Sequence, residues 1–134
     1  MQDTVFTKII NRELPANIVF EDDESIAFLD IHPVTDGHLL LIPKEPYTWM
    51  YEVPDELLGK MFIKAKRIMK ALIAGLGCDL VQLTVVGKDV PHFHIQLIPR
   101  KLHETGAEHP KTYEPGQAEM LAETIRTAIE KTPS

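Results

Sequence analysis

From Val90 to Arg100 the chain reads Val-Pro-His-Phe-His-Ile-Gln-Leu-Ile-Pro-Arg. Its middle alternates strictly, with Val90, His92, His94, Gln96 and Ile98 on one side and Phe93, Ile95 and Leu97 on the other. This period of two predicts a β-strand with one buried face, and the prolines at both ends predict that it is short. Side chains two apart on a strand stand roughly 7 Å apart on the same face. His92, His94 and Gln96 therefore form a row of imidazole, imidazole and carboxamide above an apolar underside. Such a row is open to three readings: the wet face of an antiparallel strand, a shared metal ion held by two His at i and i+2, or a nucleophilic imidazole. The last requires that one ring nitrogen keep its proton and donate it to a fixed acceptor, which a strand can supply as a backbone carbonyl.

Composition narrows the classes. A chain of 134 residues with 44% hydrophobic residues can bury one real core. A net charge of −6 argues against a nucleic-acid backbone binder, but not against a small phosphorylated ligand, for which a few aimed donors suffice. The single cysteine, Cys78, excludes an intrachain disulfide framework and a Cys-rich zinc site. No apolar run is long enough to span a bilayer, and the first residues do not read as a secretory leader, so a soluble cytoplasmic protein is expected.

Along the chain, Val5 to Ile10 predicts a short helical turn, broken by Asn11 to Pro15. Ile18 to Glu21 and Ser25 to Asp30 read as strands joined at an acidic turn. His38 to Pro43 is a continuous apolar run suited to a central strand. Pro54 opens a long amphipathic helix, with Leu57, Met61, Ala65, Ile68 and Leu72 at the helical period and Gly75 and Gly77 at its end. Asp79 to Val86 predicts a strand, and Gly87-Lys88-Asp89 a tight turn into the His-rich strand, which together make a hairpin. After an irregular polar stretch, Gln117 to Lys131 predicts a last helix that must dock on the rest.

Several ordered blocks share one resemblance. Pro91-His92-Phe93-His94-Ile95-Gln96-Leu97-Ile98-Pro99-Arg100 resembles the signature of the histidine triad (HIT) superfamily, in the variant with Gln in the third place. That variant is best known in galactose-1-phosphate uridylyltransferase and some dinucleoside polyphosphate phosphorylases. Val5 to Ile10, Glu13-Leu14-Pro15, Glu21-Asp22-Asp23, Phe28 to Pro33 and Gly37 to Lys44 are similar to the same family's N-terminal half. The similarity runs from about Val5 to Arg100, which divides the chain into a HIT domain over 1–110 and a tail with a docking helix over 111–134.

The resemblance implies an α+β fold, a five-stranded antiparallel sheet packed on one long helix plus short helices, and a homodimer with a continuous ten-stranded sheet. It implies a purine nucleotide or nucleotide conjugate as substrate, with no resident cofactor, nucleic acid or membrane as partner. His94 would be the nucleophile at the α-phosphorus and His92 would lend it a backbone carbonyl. Gln96 would replace the usual third His, and His38 would join the hydrogen-bond network behind the nucleophile. Val5, Phe6, Ile9 and Ile31 would line the base pocket and Asp30 would accept from the ribose hydroxyls. By residue type alone, Asp30 reads more often as a turn former and the apolar residues more often as plain core.

The chain departs from the family twice. Thr4 and Thr7 stand where many members carry the Cys-x-x-Cys of a structural zinc, so no metal is expected. The loop before the motif looks shortened, leaving Lys88 as the candidate phosphate-facing cation. Gln96 carries the chemistry furthest: a carboxamide donates a hydrogen bond but gives up no proton at neutral pH. It tilts the expected activity towards nucleotidyl transfer or polyphosphate cleavage over phosphoramidate hydrolysis. The rivals are a non-catalytic nucleotide-binding protein and a metalloenzyme using His92, His94 and His38.

Overall fold

A computed structural model describes residues 3–87, 89–104 and 109–133. In chain order the elements are α1 (Val5–Ile10), β1 (Ile18–Glu21), β2 (Ser25–Leu29), β3 (Leu39–Pro43), a 3-10 turn (Met50–Glu52), α2 (Asp55–Leu76), β4 (Leu80–Thr84), β5 (Ile95–Arg100) and α3 (Gln117–Lys131). The strands form one antiparallel sheet in the order β1-β2-β3-β5-β4. This is the α+β architecture expected from the sequence. No helix among the described residues is long and apolar enough to cross a membrane.

The two faces of the sheet are covered unequally. Ala27, Leu29, Leu39, Leu41, Ile95 and Leu97 face α2 and α3 and share one core with Met61, Ala65, Ile68, Leu72, Ile125 and Ile129. On the other face Ile26, Phe28, Leu40 and Ile42 cluster with Phe6 and Ile9 of the six-residue α1, flanked by Ile10, Ala16, Ile18 and Val90. Both faces of β2 and β3 are thus closed, and all five residues of each are buried. This is why β3 shows a continuous apolar run in place of alternation.

Helix α2 begins with Asp55 and Glu56 at the positive end of its dipole and stops at Gly77, which takes the left-handed conformation at φ 69°. Pro54 is its N-cap, one place earlier than the first-turn position expected. Gly75 does not end the helix. It lets α3 approach, since a Cβ there would come within 2.9 Å of Ala128 Cβ. The basic face of α2 is ion-paired: Lys64 meets Asp22 at 2.7 Å and Ser25 Oγ at 3.1 Å, and Lys60 meets Glu24 at 3.4 Å. Arg67 donates to the last carbonyls of α3, Ile129 O and Thr132 O. Helix α3 docks across α2 and the β1 edge, where Arg126 donates to Ile18 O at 2.7 Å.

Two expectations about the motif strand are corrected. The ladder begins at Ile95, not Val90, so His92 and His94 lie on the approach to β5, where His92 N–H bends back to Val90 O at 2.8 Å. Pro91 has no N–H to donate, Phe93 N–H goes to Tyr47 O, and His92 Nε2 takes the Pro43 carbonyl that a longer ladder would have used. At the other end Pro99 lies inside β5 opposite Val81. The β3 ladder stops at Leu97, and the Thr35 hydroxyl, which needs only an acceptor, docks on Pro99 O at 2.8 Å. A missing N–H is harmless on that side. The tight turn also gives way to a long one: β4 ends at Thr84, paired with Gln96, so residues 85–94 form the whole connection. Gly87, at φ 72°, packs under the Trp49 ring, where a Cβ would sit 3.3 Å from Cζ3.

Candidate functional site

The site lies on the sheet face covered by α1. Gln96 stands opposite Leu40, which stands opposite Phe28, so these three share a face, and the approach to β5 carries His94 and His92 past the end of that row. The Phe6 ring, anchored on Phe28, presents an edge-on contact to both imidazoles, with centroid distances of 5.8 Å to His92 and 5.2 Å to His94. Phe6 is placed by α1, whose start is fixed by Thr4 and Thr7. Thr4 Oγ1 accepts from Phe6 N and Thr7 N, while Thr7 Oγ1 accepts from Thr4 N at 2.8 Å. A hydrogen-bonded capping box therefore occupies the two positions at which the sequence lacks Cys-x-x-Cys.

The protons on the three imidazoles follow from obligate partners. His94 Nδ1 lies 2.8 Å from His92 O, and a carbonyl only accepts, so Nδ1 carries a proton and in the neutral ring the lone pair is on Nε2. His92 is fully buried. Its Nε2 donates to Pro43 O at 2.8 Å, and its Nδ1 has no hydrogen-bond partner. Burial holds the His92 pKa below the ordinary imidazole value, against the opposing pull of the Pro43 carbonyl. His38 Nδ1 accepts from Val34 N–H at 3.2 Å, an obligate donor, so its proton is on Nε2, 2.9 Å from Gln96 Oε1. Burial again lowers the His38 pKa, partly countered by the Asp30 carboxylate, whose Oδ2 is 3.7 Å from His38 Nε2.

This chain of donors fixes the Gln96 amide. The atom facing His38 must be oxygen, because Nε2–H of His38 has to donate; the NH2 is therefore turned away as a donor. The arrangement offers one lone pair on an imidazole fixed by a backbone carbonyl and one amide donor two residues on. It offers little to a metal. Both His38 nitrogens and one nitrogen each of His92 and His94 are engaged, and no group of three His, Cys, Asp or Glu among the described residues is gathered as a metal site.

Of the other sequence candidates, Asp30 follows β2 and does what its turn-forming character predicts: Oδ1 accepts from His32 N at 2.8 Å. Its other oxygen faces His38. Phe6 and Ile9 belong to the smaller buried cluster, whereas Val5 is 44% and Ile31 68% exposed. His32 is exposed. Lys88 lies outside the described residues. Sequence reasoning passed over Pro43, whose carbonyl holds His92, and Val34, whose N–H sets the His38 tautomer. Both act through the backbone and leave no side-chain signal.

Residues 11–103 match the HIT domain. The chain is 41% identical over 101 residues to an uncharacterized HIT-like protein of Methanocaldococcus jannaschii, covering 72% of this chain and 78% of that one. It is 36% identical over 104 residues to the adenosine 5'-monophosphoramidase of Saccharomyces cerevisiae (76% and 65%) and 38% identical over 104 residues to an adenylylsulfatase of Arabidopsis thaliana (74% and 53%). Among solved structures, a hypothetical histidine triad nucleotide-binding protein of Sulfolobus tokodaii superposes with a TM-score of 0.88 at 28% identity, covering 96% of this chain and 93% of that one.

Proposed function

The chain belongs to the HIT family, and on that premise we propose that it is a nucleotide-binding enzyme that cleaves or transfers a nucleoside monophosphate through a covalent intermediate on His94. One observation carries the proposal: His94 Nδ1–H is held by the His92 carbonyl, which in the neutral ring leaves the Nε2 lone pair as an oriented nucleophile. Nε2 attacks the α-phosphorus, the bond from phosphorus to the leaving group breaks, and the nucleotidyl group rests on the ring. Water or another acceptor then attacks the same phosphorus and returns His94 to its starting form. The His92 carbonyl stabilises the charge that the ring gains on attack, as a fixed dipole aimed at Nδ1–H. His92 itself stays neutral, because burial disfavours its charged form.

The turned-out Gln96 amide suits a non-bridging phosphate oxygen or a departing oxygen, to which it donates without giving up a proton. Leaving groups that need no protonation are favoured, which supports polyphosphates, acyl-type phosphates or transfer over amine expulsion. The names of the two curated relatives, a phosphoramidase and an adenylylsulfatase, support an adenylate unit as the group cleaved. We assign the base to the surface of Val5, Phe6, Ile9 and Ile31 and the ribose hydroxyls to Asp30. Of the two outer strands, β1 carries Arg126 of α3 on Ile18 O, so β4 is the edge along which a second copy would extend the sheet into a homodimer, which light scattering would detect as twice the monomer mass.

His94→Ala tests the assignment. Turnover of dinucleoside polyphosphates, followed as nucleotide release, is expected to fall by about 10⁴-fold or more, the scale of loss when a covalent nucleophile is removed. AMP affinity and the melting temperature are expected to stay near wild type. A variant retaining a tenth of wild-type activity would show that the nucleophile lies elsewhere.

A further inference from the structure

We propose that residues 109–116, with Tyr113 as the key positioning residue, form a strap that holds the 31–37 loop and so sets the place of Asp30; this rests on the assignment of the ribose to Asp30. The loop runs between the two residues of the site that open and close it, Asp30 and His38. It is tied to them by His32 N–H, which donates to Asp30 Oδ1, and by Val34 N–H, which donates to His38 Nδ1. It is also tied outward, to β5 by the Thr35 hydroxyl on Pro99 O and to residues 109–116. Lys111 N–H donates to Pro33 O at 3.0 Å, Tyr113 Oη accepts from Gly37 N–H at 3.1 Å, and Lys111 Nζ pairs with Asp36.

The Gly37 contact matters most. Gly37 is buried at φ 92°, and a Cβ there would come within 2.5 Å of Leu76 Cδ1 and 3.2 Å of Pro99 Cγ. Its peptide is thus wedged against the main core, and without Tyr113 its N–H would be a buried donor with no acceptor. The Lys111–Asp36 pair is half-exposed and contributes little. Tyr113 reaches across 76 positions of sequence, from beyond residue 103, where the matched domain ends. The ribose end of the site is therefore held by a segment outside the domain that carries the histidines.

Two measurements on wild type, Tyr113→Phe, Lys111→Pro and Asp30→Ala test this. Amide hydrogen exchange of residues 32–38 in the free protein reads the strap alone; calorimetric affinities for AMP and 2′-deoxy-AMP read its link to the ribose. Tyr113→Phe is expected to speed exchange across the loop and to shrink the preference for AMP over 2′-deoxy-AMP about threefold to tenfold, the range of one lost hydrogen bond, with the smaller loss on 2′-deoxy-AMP, which keeps only one hydroxyl for Asp30. Lys111→Pro removes the Pro33 bond and is expected to act alike, so the test stands if one variant fails to fold. A loop as protected in both variants as in wild type overturns the strap. Loosened exchange with an unchanged nucleotide ratio, or equal losses for both nucleotides, overturns its positioning role. If Asp30→Ala leaves the ratio unchanged, the ribose assignment itself is wrong, and the exchange data still decide the strap.

Discussion

The two faces of this sheet are built from the same alternating strands and end up doing different work. One is closed by α2 and α3, and its core holds Met61, Ile68, Leu72, Ile95, Leu97 and Ile125 with essentially no exposure. The other is covered by α1 with Ala16, Ile18 and Val90, and beside the Phe6 ring of that cover stand His92, His94 and Gln96. The thick side fixes where the strands lie. The thin side can therefore hold polar side chains beside its apolar ones, oriented by backbone carbonyls (Pro43 O and His92 O). A change on the thick side should alter stability, and one on the thin side chemistry.

The largest separation is expected at Gln96. Gln96→His places an ionisable ring where an amide stood. A positioned acid contributes roughly 10²–10⁴-fold, so cleavage of alkylamine phosphoramidates should rise on that order while that of polyphosphates barely moves. Rates across a leaving-group series, with melting temperatures alongside, check this. A wild type that already cleaves alkylamine substrates as fast as polyphosphates would remove the case for transfer or polyphosphate cleavage.

Next in size is a pair of cavities. Leu72→Ala should destabilise by about 2–5 kcal/mol, the usual cost of deleting a fully buried Leu, with turnover per folded molecule unchanged. Phe6→Ala, on the thin side, should cost about 3–5 kcal/mol and also lower turnover, because both imidazoles lose the ring edge that flanks them. Chemical denaturation and assays under folding conditions separate the two. Equal effects on turnover would erase the distinction between the faces.

The smallest effect is a pH slope. His38 and His92 are buried neutral with pKa values below the ordinary 6.5, so the unfolded chain binds more protons than the folded one just below that pH. Their contribution is complete above pH 6.5 and is lost as pH falls below it, by up to ~1.4 kcal/mol per pH unit for each ring. Glu21 and Asp22, held low by Lys44 and Lys64, act only at lower pH, below their ordinary 4.5 and 3.8. Stability measured by denaturant from pH 7 to 5 should fall, and less steeply in His38→Gln. A flat profile would mean the rings are not held neutral.

Much of this was legible in the chain. The period of two at Phe93, Ile95 and Leu97, the helical period from Leu57 to Leu72 and the apolar run of β3 each report a local geometry that burial enforces. The row of His92, His94 and Gln96 was legible for the same reason. What was not legible depends on partners far away in sequence. The ladder starts at Ile95 because His92 takes the Pro43 carbonyl, 49 positions distant. Gln96 turns its amide outward because of Val34 N–H, acting through His38. Alternation marks which face a side chain takes, but not which of its atoms will meet a donor.

The central claim is the covalent step on His94, and it has a direct measurement. Protein exposed briefly at low temperature to a dinucleoside polyphosphate, quenched and examined intact by mass spectrometry, should gain the mass of one nucleoside monophosphate less water, located on His94 by peptide mapping and absent from His94→Ala. Turnover with no adduct at any quench time, or an adduct that persists in His94→Ala, would contradict the account.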